Sequence, residues 1–204
     1  LAYAGSRFVV DVLLARGSKT RTRHSSSQLA KLGYFTDNGA FMYNNPLPAK
    51  NYETALPQLV AWFKHTQLPV QYLQLDSWWY RWSALDEGVS EWLPRVDNVT
   101  FPSGTIPKLG LPLQMHNRYW AKDTKMAAKY DFVKSPYNAT TPFQRSESFP
   151  TAANDNQLRL FRDIMGNAVR NYNLSVYEQD WLWDQFEMMD YPLEHPDEAE
   201  QWLV

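Results

Sequence analysis

Four residues able to hold a proton, a metal ion or a sugar hydroxyl stand at the ends of four short apolar segments. Asp37, Asp76 and Asp180 each close one such segment, and His116 closes the fourth. One Asp at the end of a strand is often a structural cap. Three Asp and one His that meet from four strands instead predict a site for chemistry. From the residues alone, Asp180 could be a nucleophile, a hydroxyl-binding group, a metal ligand or a cap.

The last of these segments carries two carboxylates on one face. Because side chains alternate along a strand, Glu178 and Asp180 share a face and Gln179 takes the other. If Asp180 points towards the mouth of a site, Glu178 lies one layer deeper. Trp181 and Trp183 stand next to Asp180, an arrangement that suits sugar binding.

Other site chemistries have less support in the sequence. The chain has four His and no Cys, and it contains neither an H-x-H nor an H-E-x-x-H spacing. We therefore expect no metal site and no cofactor. No G-x-S-x-G motif marks a nucleophilic Ser. A barrel hydrolase or lyase of another kind, with His116 as its base, remains an alternative.

The elements that must position these residues alternate between strand and helix. Four apolar runs predict strands that end at the four polar residues: Leu32–Asp37, Val70–Asp76, Leu111–His116 and Leu174–Asp180. Apolar spacing and end signals predict four helices: Arg7–Arg16, Tyr52–Thr66, Asp123–Phe132 and Asn156–Arg170. We expect a short helix in the long connection after Asp76, and a loop over Lys134–Pro150.

This alternation predicts an α/β protein with a parallel sheet and helices outside it. Two such folds bind ligands at the carboxyl ends of their strands: a TIM-type (β/α)8 barrel and an open doubly wound sheet. No Gly-rich phosphate loop follows any strand, which favours the barrel. A complete barrel takes about 250 residues. We therefore expect residues 32–204 to form the first four strand–helix units of a catalytic barrel, truncated at the C-terminus. The remainder of a longer polypeptide would complete it, and residues 1–31 would form an N-terminal helix and a basic, Ser-rich linker.

Composition excludes several partners and favours a carbohydrate. The net charge is −2, and the longest basic run, residues 19–24, adjoins three Ser, so a solvated loop explains it better than a nucleic-acid patch. No apolar stretch approaches the ~20 residues of a membrane span. Aromatic residues make up 15% of the chain, with nine Trp, and several stand beside Asp, Asn or His. Rings stack on sugar C–H faces while carboxylates bind hydroxyls, so we expect a carbohydrate substrate or glycan.

Three sequons for N-glycosylation begin at Asn98, Asn138 and Asn173. Glycosylation of this kind solubilises protein surfaces. The sequons predict a glycoprotein that is secreted or lysosomal.

Four segments, in order, resemble motifs of the α-galactosidases and raffinose synthases, which are melibiase-type retaining glycoside hydrolases. Residues 32–37, LGYFTD, resemble the aromatic first-strand motif, and residues 75–79, LDSWW, resemble the second-strand Asp-Asp-Gly/Cys-Trp. Residues 101–104, FPSG, are similar to the Phe-Pro-x-Gly segment before the third strand. Residues 176–181, VYEQDW, stand where the family has Lys-x-Asp at the end of the fourth strand.

The resemblance implies a retaining α-glycosidase that hydrolyses or transfers terminal α-galactose-like sugars. It implies that Asp180 is the nucleophile, that Asp76 binds sugar hydroxyls, and that Trp78 or Trp79 helps to wall the sugar pocket. The remaining residues that we expect to contact the substrate are Asp37, His116, Arg118, Glu178 and Trp181. In the family the acid/base Asp comes from the sixth strand, so we do not expect it within these residues.

Two positions depart from the family pattern. Glu178 replaces the family's Lys, which removes a positive charge near the nucleophile, and Ser77 replaces the second Asp of the second-strand pair. The segment His116 to Arg118 has no matched counterpart. A second hypothesis therefore stays open: a non-catalytic extracellular glycan-binding or structural protein derived from this barrel.

Overall fold

A computed structural model describes residues 30–85, 87–136, 147–182, 185 and 189–198. The predicted helix over Arg7–Arg16, the basic linker and the sequon at Asn138 lie outside these ranges. In chain order the elements are β1 (Leu32–Tyr34), α1 (Tyr52–His65), β2 (Val70–Leu75), β3 (Tyr80–Trp82), β4 (Val89–Pro94), β5 (Leu113–Asn117), β6 (Trp120–Ala121), β7 (Phe132–Lys134), β8 (Glu147–Pro150), α2 (Asn156–Tyr172), β9 (Leu174–Gln179) and α3 (Asp190–Glu194).

Four strands form a parallel sheet in which sequence order and spatial order agree. The order across the sheet is β1–β2–β5–β9, and all three pairings are parallel. These are the four strands predicted from the sequence, each within three residues of its predicted ends. The prediction of an α/β protein with a parallel sheet is confirmed. Within the described ranges the sheet does not close into a barrel.

The two faces of this sheet differ in polarity because side chains alternate along each strand. Leu73, Leu75 and Met115 are fully buried on the apolar face, in one cluster with Leu56 of α1 and Leu160 of α2. Burial of these side chains is the main force that holds the helices against the sheet. The alternate positions carry polar side chains, and they belong to the site described below.

Both long helices follow their sequence signals. The side chain of Asn51 caps α1 by accepting a hydrogen bond from the backbone N–H of Thr54 at 3.0 Å. Asn173 ends α2 in the left-handed conformation, with φ of 59°, which Asn adopts more readily than most residues. The predicted helices Tyr52–Thr66 and Asn156–Arg170 are therefore confirmed to within two residues at each end.

A second, mixed sheet provides strands in two segments for which the sequence predicted helices. Its order is β3–β4–β6–β8–β7, with antiparallel pairs at β3–β4, β6–β8 and β7–β8. The connection from β2 to β5 contains the β3–β4 pair where a short helix was expected. The strict strand–helix alternation predicted from the sequence is therefore wrong for this connection.

The segment Asp123–Phe132 is not the helix that its composition predicts. A 3-10 helix of four residues, Lys125–Ala128, is followed by β7. None of those four residues is buried, so no apolar face stabilises a longer helix there. Pairing with β8 instead satisfies the backbone of Phe132–Lys134. The predicted loop over Lys134–Pro150 begins at the last residue of β7 and ends with β8, because these two strands pair with each other.

Two strands of the second sheet follow closely in sequence after the carboxyl ends of parallel strands. β3 begins four residues after Asp76, and β6 begins three residues after the end of β5. The second sheet therefore packs beside the edge at which the predicted site residues lie, and its aromatic side chains reach that edge.

Candidate active site

The structure brings the four predicted strand-end residues to one edge of the parallel sheet. Asp76 and Asp180 directly follow β2 and β9, His116 is the penultimate residue of β5, and Asp37 lies three residues after β1. The carboxyl ends of neighbouring parallel strands meet at the same edge, which explains why residues far apart in sequence converge. The predicted grouping is therefore present.

The closest chemical relationship at this edge joins His116 and Asp180. Nε2 of His116 lies 3.3 Å from Oδ2 of Asp180. His116 is 2% exposed, whereas the side chain of Asp180 is 56% exposed and so can meet a substrate. The hydrogen bond from His116 lowers the pKa of Asp180, whereas partial burial raises it. The backbone N–H of Trp181 and the charge of Arg118 lower the pKa further. Asp180 is therefore held as an ionised carboxylate.

The imidazole of His116 is fixed from several sides. Its Nδ1 lies 3.3 Å from the hydroxyl of Tyr80, whose ring stacks on it at 11°. The backbone carbonyl of His116 accepts hydrogen bonds from the indole N–H groups of Trp79, at 2.9 Å, and Trp92, at 3.0 Å. An ionised carboxylate only accepts hydrogen bonds, so Nε2 carries the proton that faces Asp180; in the neutral imidazole, Nδ1 then accepts from Tyr80. Burial raises the pKa of Tyr80 well above its usual value, which keeps this hydroxyl a donor.

One layer deeper, glutamine amides hold the carboxylates in place. Nε2 of Gln74 donates to Oδ2 of Asp76 at 2.9 Å and to Oε2 of Glu178 at 3.0 Å. Gln114 donates to the same Glu178 oxygen at 3.0 Å, and Oε1 of Gln74 accepts from the backbone N–H of Thr36. These bonds offset the cost of burying charge between strands. Glu178 lies below Asp180, as predicted.

Asp37 extends the acidic cluster towards β1. Partial burial raises the pKa of Asp37, the N–H of Asn38 lowers it, and the neighbouring carboxylate of Asp76 raises it further. Two carboxylates so close repel one another when both are ionised. Asp37 and Asp180 therefore lie in environments that shift their pKa values in opposite directions.

The two tryptophans after Asp76 are core residues, which corrects part of the sequence prediction. Trp79 is fully buried and packs edge-on against Trp92, so it offers no face to a sugar. Trp78 is 1% exposed; its ring stacks on Tyr52 at 3.6 Å, and its Nε1 donates to Thr36. The predicted sugar wall is therefore wrong for Trp79, while Trp78 is among the residues that line a neighbouring cleft.

Arg118 and Trp181 lie on the outer side of the cluster. The guanidinium carbon of Arg118 is 5.5 Å from the ring centre of Trp181 and 5.7 Å from that of Tyr119. Trp181 has a φ of 59°, a strained value for a bulky residue, and its N–H donates to Oδ1 of Asp180 at 2.8 Å. Backbone strain directly after a candidate nucleophile is typical of functional sites.

Several residues of the site were missed in the sequence: Thr36, Gln74, Tyr80, Trp92 and Gln114. A repeated pattern could have revealed two of them. Gln74 precedes Asp76 by two residues and Gln114 precedes His116 by two, just as Glu178 precedes Asp180. Residues two apart share a strand face, so each strand contributes an upper and a lower polar position.

The described sequons are at the surface. Asn98 and Asn173 are both exposed, although the side-chain amide of Asn173 donates to the carbonyl of Leu111 at 3.1 Å. Glycosylation at either position stays a prediction.

Comparison with models of known protein families gives no match, and comparison with curated proteins gives none either. Within the described ranges, no group of three His, Asp or Glu side chains is arranged to hold a metal ion. No helix in the described part of the chain is long and apolar enough to cross a bilayer.

Proposed function

We propose that this protein is a retaining α-glycosidase that acts on terminal galactose-like sugars, with Asp180 as its nucleophile. The observation that carries the proposal is the environment of Asp180. Its carboxylate is accessible, ionised, and oriented by a hydrogen bond from the buried His116 at 3.3 Å. A nucleophilic carboxylate needs these properties.

The strand order supports a barrel as the scaffold. In β1–β2–β5–β9 each new strand is added to the same side of the sheet, whereas a doubly wound sheet reverses direction at the point where its ligand binds. We propose that these strands are the first four of a (β/α)8 barrel. The polar face that carries Gln74, Asp76, Glu178 and Asp180 would then line the barrel interior near its mouth.

The proposed reaction is a double displacement. Asp180 attacks the anomeric carbon of the sugar while a carboxylic acid protonates the departing oxygen, which gives a covalent glycosyl-enzyme. Water then hydrolyses that ester with the second residue acting as base, or another sugar accepts the glycosyl group. The resemblance assigns the acid/base role to a sixth strand, and no described residue is given that role. Asp37 is exposed and is the residue proposed to accept hydrogen bonds from sugar hydroxyls. Asp76 is 4% exposed, and its two oxygens already accept from Gln74 and from the backbone N–H of Ser77.

A non-catalytic glycan-binding protein is the second candidate, favoured by Glu178. Glu178 stands where the family that this chain resembles has a Lys, so a carboxylate replaces a positive charge near the nucleophile. Asp180→Ala separates the two candidates. If Asp180 is the nucleophile, the variant loses turnover of an aryl α-galactoside by at least about a thousandfold and keeps its thermal midpoint. A small anion such as azide, which fills the vacated space, should restore part of the turnover. Wild-type protein that binds galactose without turnover would support the glycan-binding candidate.

A further inference from the structure

A cleft of about 450 Å³ lies beside the acidic cluster. Its size falls within the usual range of small-molecule sites. Aromatic residues form much of its wall, and two guanidinium groups enter it; the residues concerned are Tyr43, Tyr52, Trp78, Trp82, Arg95 and Arg118. Ser77, which follows Asp76 directly, also lines it. Arg118 is close enough to Asp180 to lower its pKa, so the cleft and the proposed catalytic carboxylate are neighbours.

No carboxylate of the described residues pairs closely with Arg118. The rings of Trp181 and Tyr119 lie 5.5 Å and 5.7 Å from its guanidinium carbon, farther than the ring that stacks on Arg95. Arg118 is 9% exposed, and its nearest carboxylate, Oε2 of Glu87, is 3.8 Å from Nη1. That carboxylate belongs to a side chain that is 72% exposed, so water screens its attraction. Nη1 also donates a long hydrogen bond of 3.3 Å to the backbone carbonyl of Glu87, while the buried Nε has no partner among the described residues. Buried charges are normally paired closely and fully hydrogen-bonded.

Arg95, the other guanidinium of the cleft, is compensated. Its Nε lies 2.5 Å from Oδ2 of Asp97, and its guanidinium carbon lies 4.4 Å above the ring of Trp82. The other oxygen of Asp97 accepts from the backbone N–H groups of Val99 and Thr100. Arg95 therefore forms part of the wall, and Arg118 is the cation of the described cleft that lacks a close counter-charge.

We infer that this cleft binds an anionic substituent, a carboxylate or a sulfate ester, on the sugar that the protein recognises. The inference rests on the proposed function, because it makes an acidic sugar the preferred ligand of the same site. An anionic oxygen within hydrogen-bonding distance of Arg118 supplies the missing counter-charge, and the aromatic wall excludes water around it. Charge-assisted hydrogen bonds to guanidinium are among the stronger polar contacts.

Direct binding to the intact protein tests the inference without any need for turnover. The probes are D-galactose, D-galacturonate and D-galactose 6-sulfate, titrated at low salt and followed by tryptophan fluorescence, since Trp78 and Trp82 line the cleft. We expect at least one acidic sugar to bind about tenfold or more tightly than galactose. The galacturonate and sulfate arms show which anion fits. Equal affinities for all three sugars would overturn the inference.

Three variants identify the residue responsible. Arg118→Gln should abolish the preference, so that the acidic sugars bind to this variant no more tightly than galactose does. Glu87→Gln removes the competing carboxylate from an exposed position, so it should strengthen acidic-sugar binding by about two- to threefold. Arg81→Gln is the matched control, because Arg81 pairs with Glu91 at 2.9 Å and does not line the cleft; its preference should equal that of the wild type.

The possible results test the anion site and the glycosidase proposal separately. A preference that survives in Arg118→Gln, or that Glu87→Gln does not increase, contradicts the role of Arg118. If Arg118→Gln fails to fold, Glu87→Gln alone still decides. Turnover that is lost in Asp180→Ala, without any acidic-sugar preference, would leave the glycosidase proposal intact and refute the anion site. A preference for acidic sugars in a protein whose Asp180→Ala variant keeps its turnover would do the reverse.

Discussion

Nε2 of the buried His116 lies 3.3 Å from Oδ2 of the accessible Asp180. The two residues are 64 positions apart in sequence, and adjacent parallel strands, β5 and β9, bring them together. The contact keeps Asp180 ionised and fixes its orientation. Both effects prepare a carboxylate for nucleophilic attack before any substrate arrives.

Replacing His116 should change the acidic limb of the pH–activity profile. His116→Phe removes the donor that lowers the pKa of Asp180, so Asp180 will take up its proton at a higher pH. The acid limb of kcat/KM should therefore shift to higher pH, towards the ordinary Asp value of about 3.9. Tyr80→Phe keeps the donor on Nε2 and removes only the partner of Nδ1, so its shift should be smaller. An acid limb that is unchanged in His116→Phe would contradict the role given to this contact.

Asp37 should make the protein less stable as the pH rises. A carboxyl whose pKa is higher in the folded state contributes stability that is present below its unfolded pKa and lost as the pH rises through the folded value. Asp37→Asn removes this loss and the repulsion by Asp76. The variant should unfold at a higher temperature than the wild type at pH 7, and the difference should vanish below the usual Asp pKa. Calorimetric scans across this pH range measure it; Asp123→Asn, remote from the acidic cluster in sequence, serves as the control.

Gln74 should be a structural requirement of the site. Its buried amide joins Asp76 and Glu178, so Gln74→Leu leaves two carboxylates short of a donor. The expected cost is about 1–3 kcal/mol of unfolding free energy, measured by urea denaturation. Gln74→Glu should be worse at pH 7 than at pH 4, because it adds a third negative charge. Equal losses at both pH values would show that lost packing, not charge, is responsible.

The two tryptophans on either side of the site should respond differently to truncation. Trp79 is fully buried, so Trp79→Ala should cost about 3–5 kcal/mol of stability. Trp181 is half-buried and follows Asp180, so Trp181→Ala should reduce kcat/KM with a smaller loss of stability. Thermal melts and steady-state kinetics on both variants distinguish the two roles. A raised KM in a stable Trp79→Ala variant would restore the sugar-wall interpretation.

The parallel sheet could be predicted because its signals are local. Each strand is a short apolar run that ends at a polar residue, and α1 and α2 carry their own caps. The second sheet could not be predicted in this way. Trp120 pairs with Ser148 across 27 intervening residues, and four of the five strands have only two to four residues, which leaves little periodicity. The segment Lys125–Ala128 has helical composition, but none of its residues is buried.

The site could be predicted in part, because the positions of strand ends are local signals in the sequence. Strand ends place Asp37, Asp76, His116 and Asp180 at one edge, whatever the packing beyond them. The role of each Trp depends on burial, which sequence alone does not give: Trp79 and Trp181 both adjoin polar site residues, yet the first is a core residue. The poorly paired charge of Arg118 depends on the distance to Glu87, which only the folded structure fixes.

If Asp180 is the nucleophile, it forms a covalent bond to the sugar during turnover. Incubation of the intact protein with an activated 2-fluoro glycosyl donor slows hydrolysis of the intermediate, because fluorine destabilises the oxocarbenium-like transition state. Peptide mass spectrometry then locates the adduct. Glu178 and Asp180 fall in the same peptide, so fragmentation between them is essential, and Asp180→Asn is the control. We expect one glycosyl group on Asp180 and none in Asp180→Asn. An adduct on Glu178 or elsewhere, or steady turnover by Asp180→Ala, would show that Asp180 is not the nucleophile.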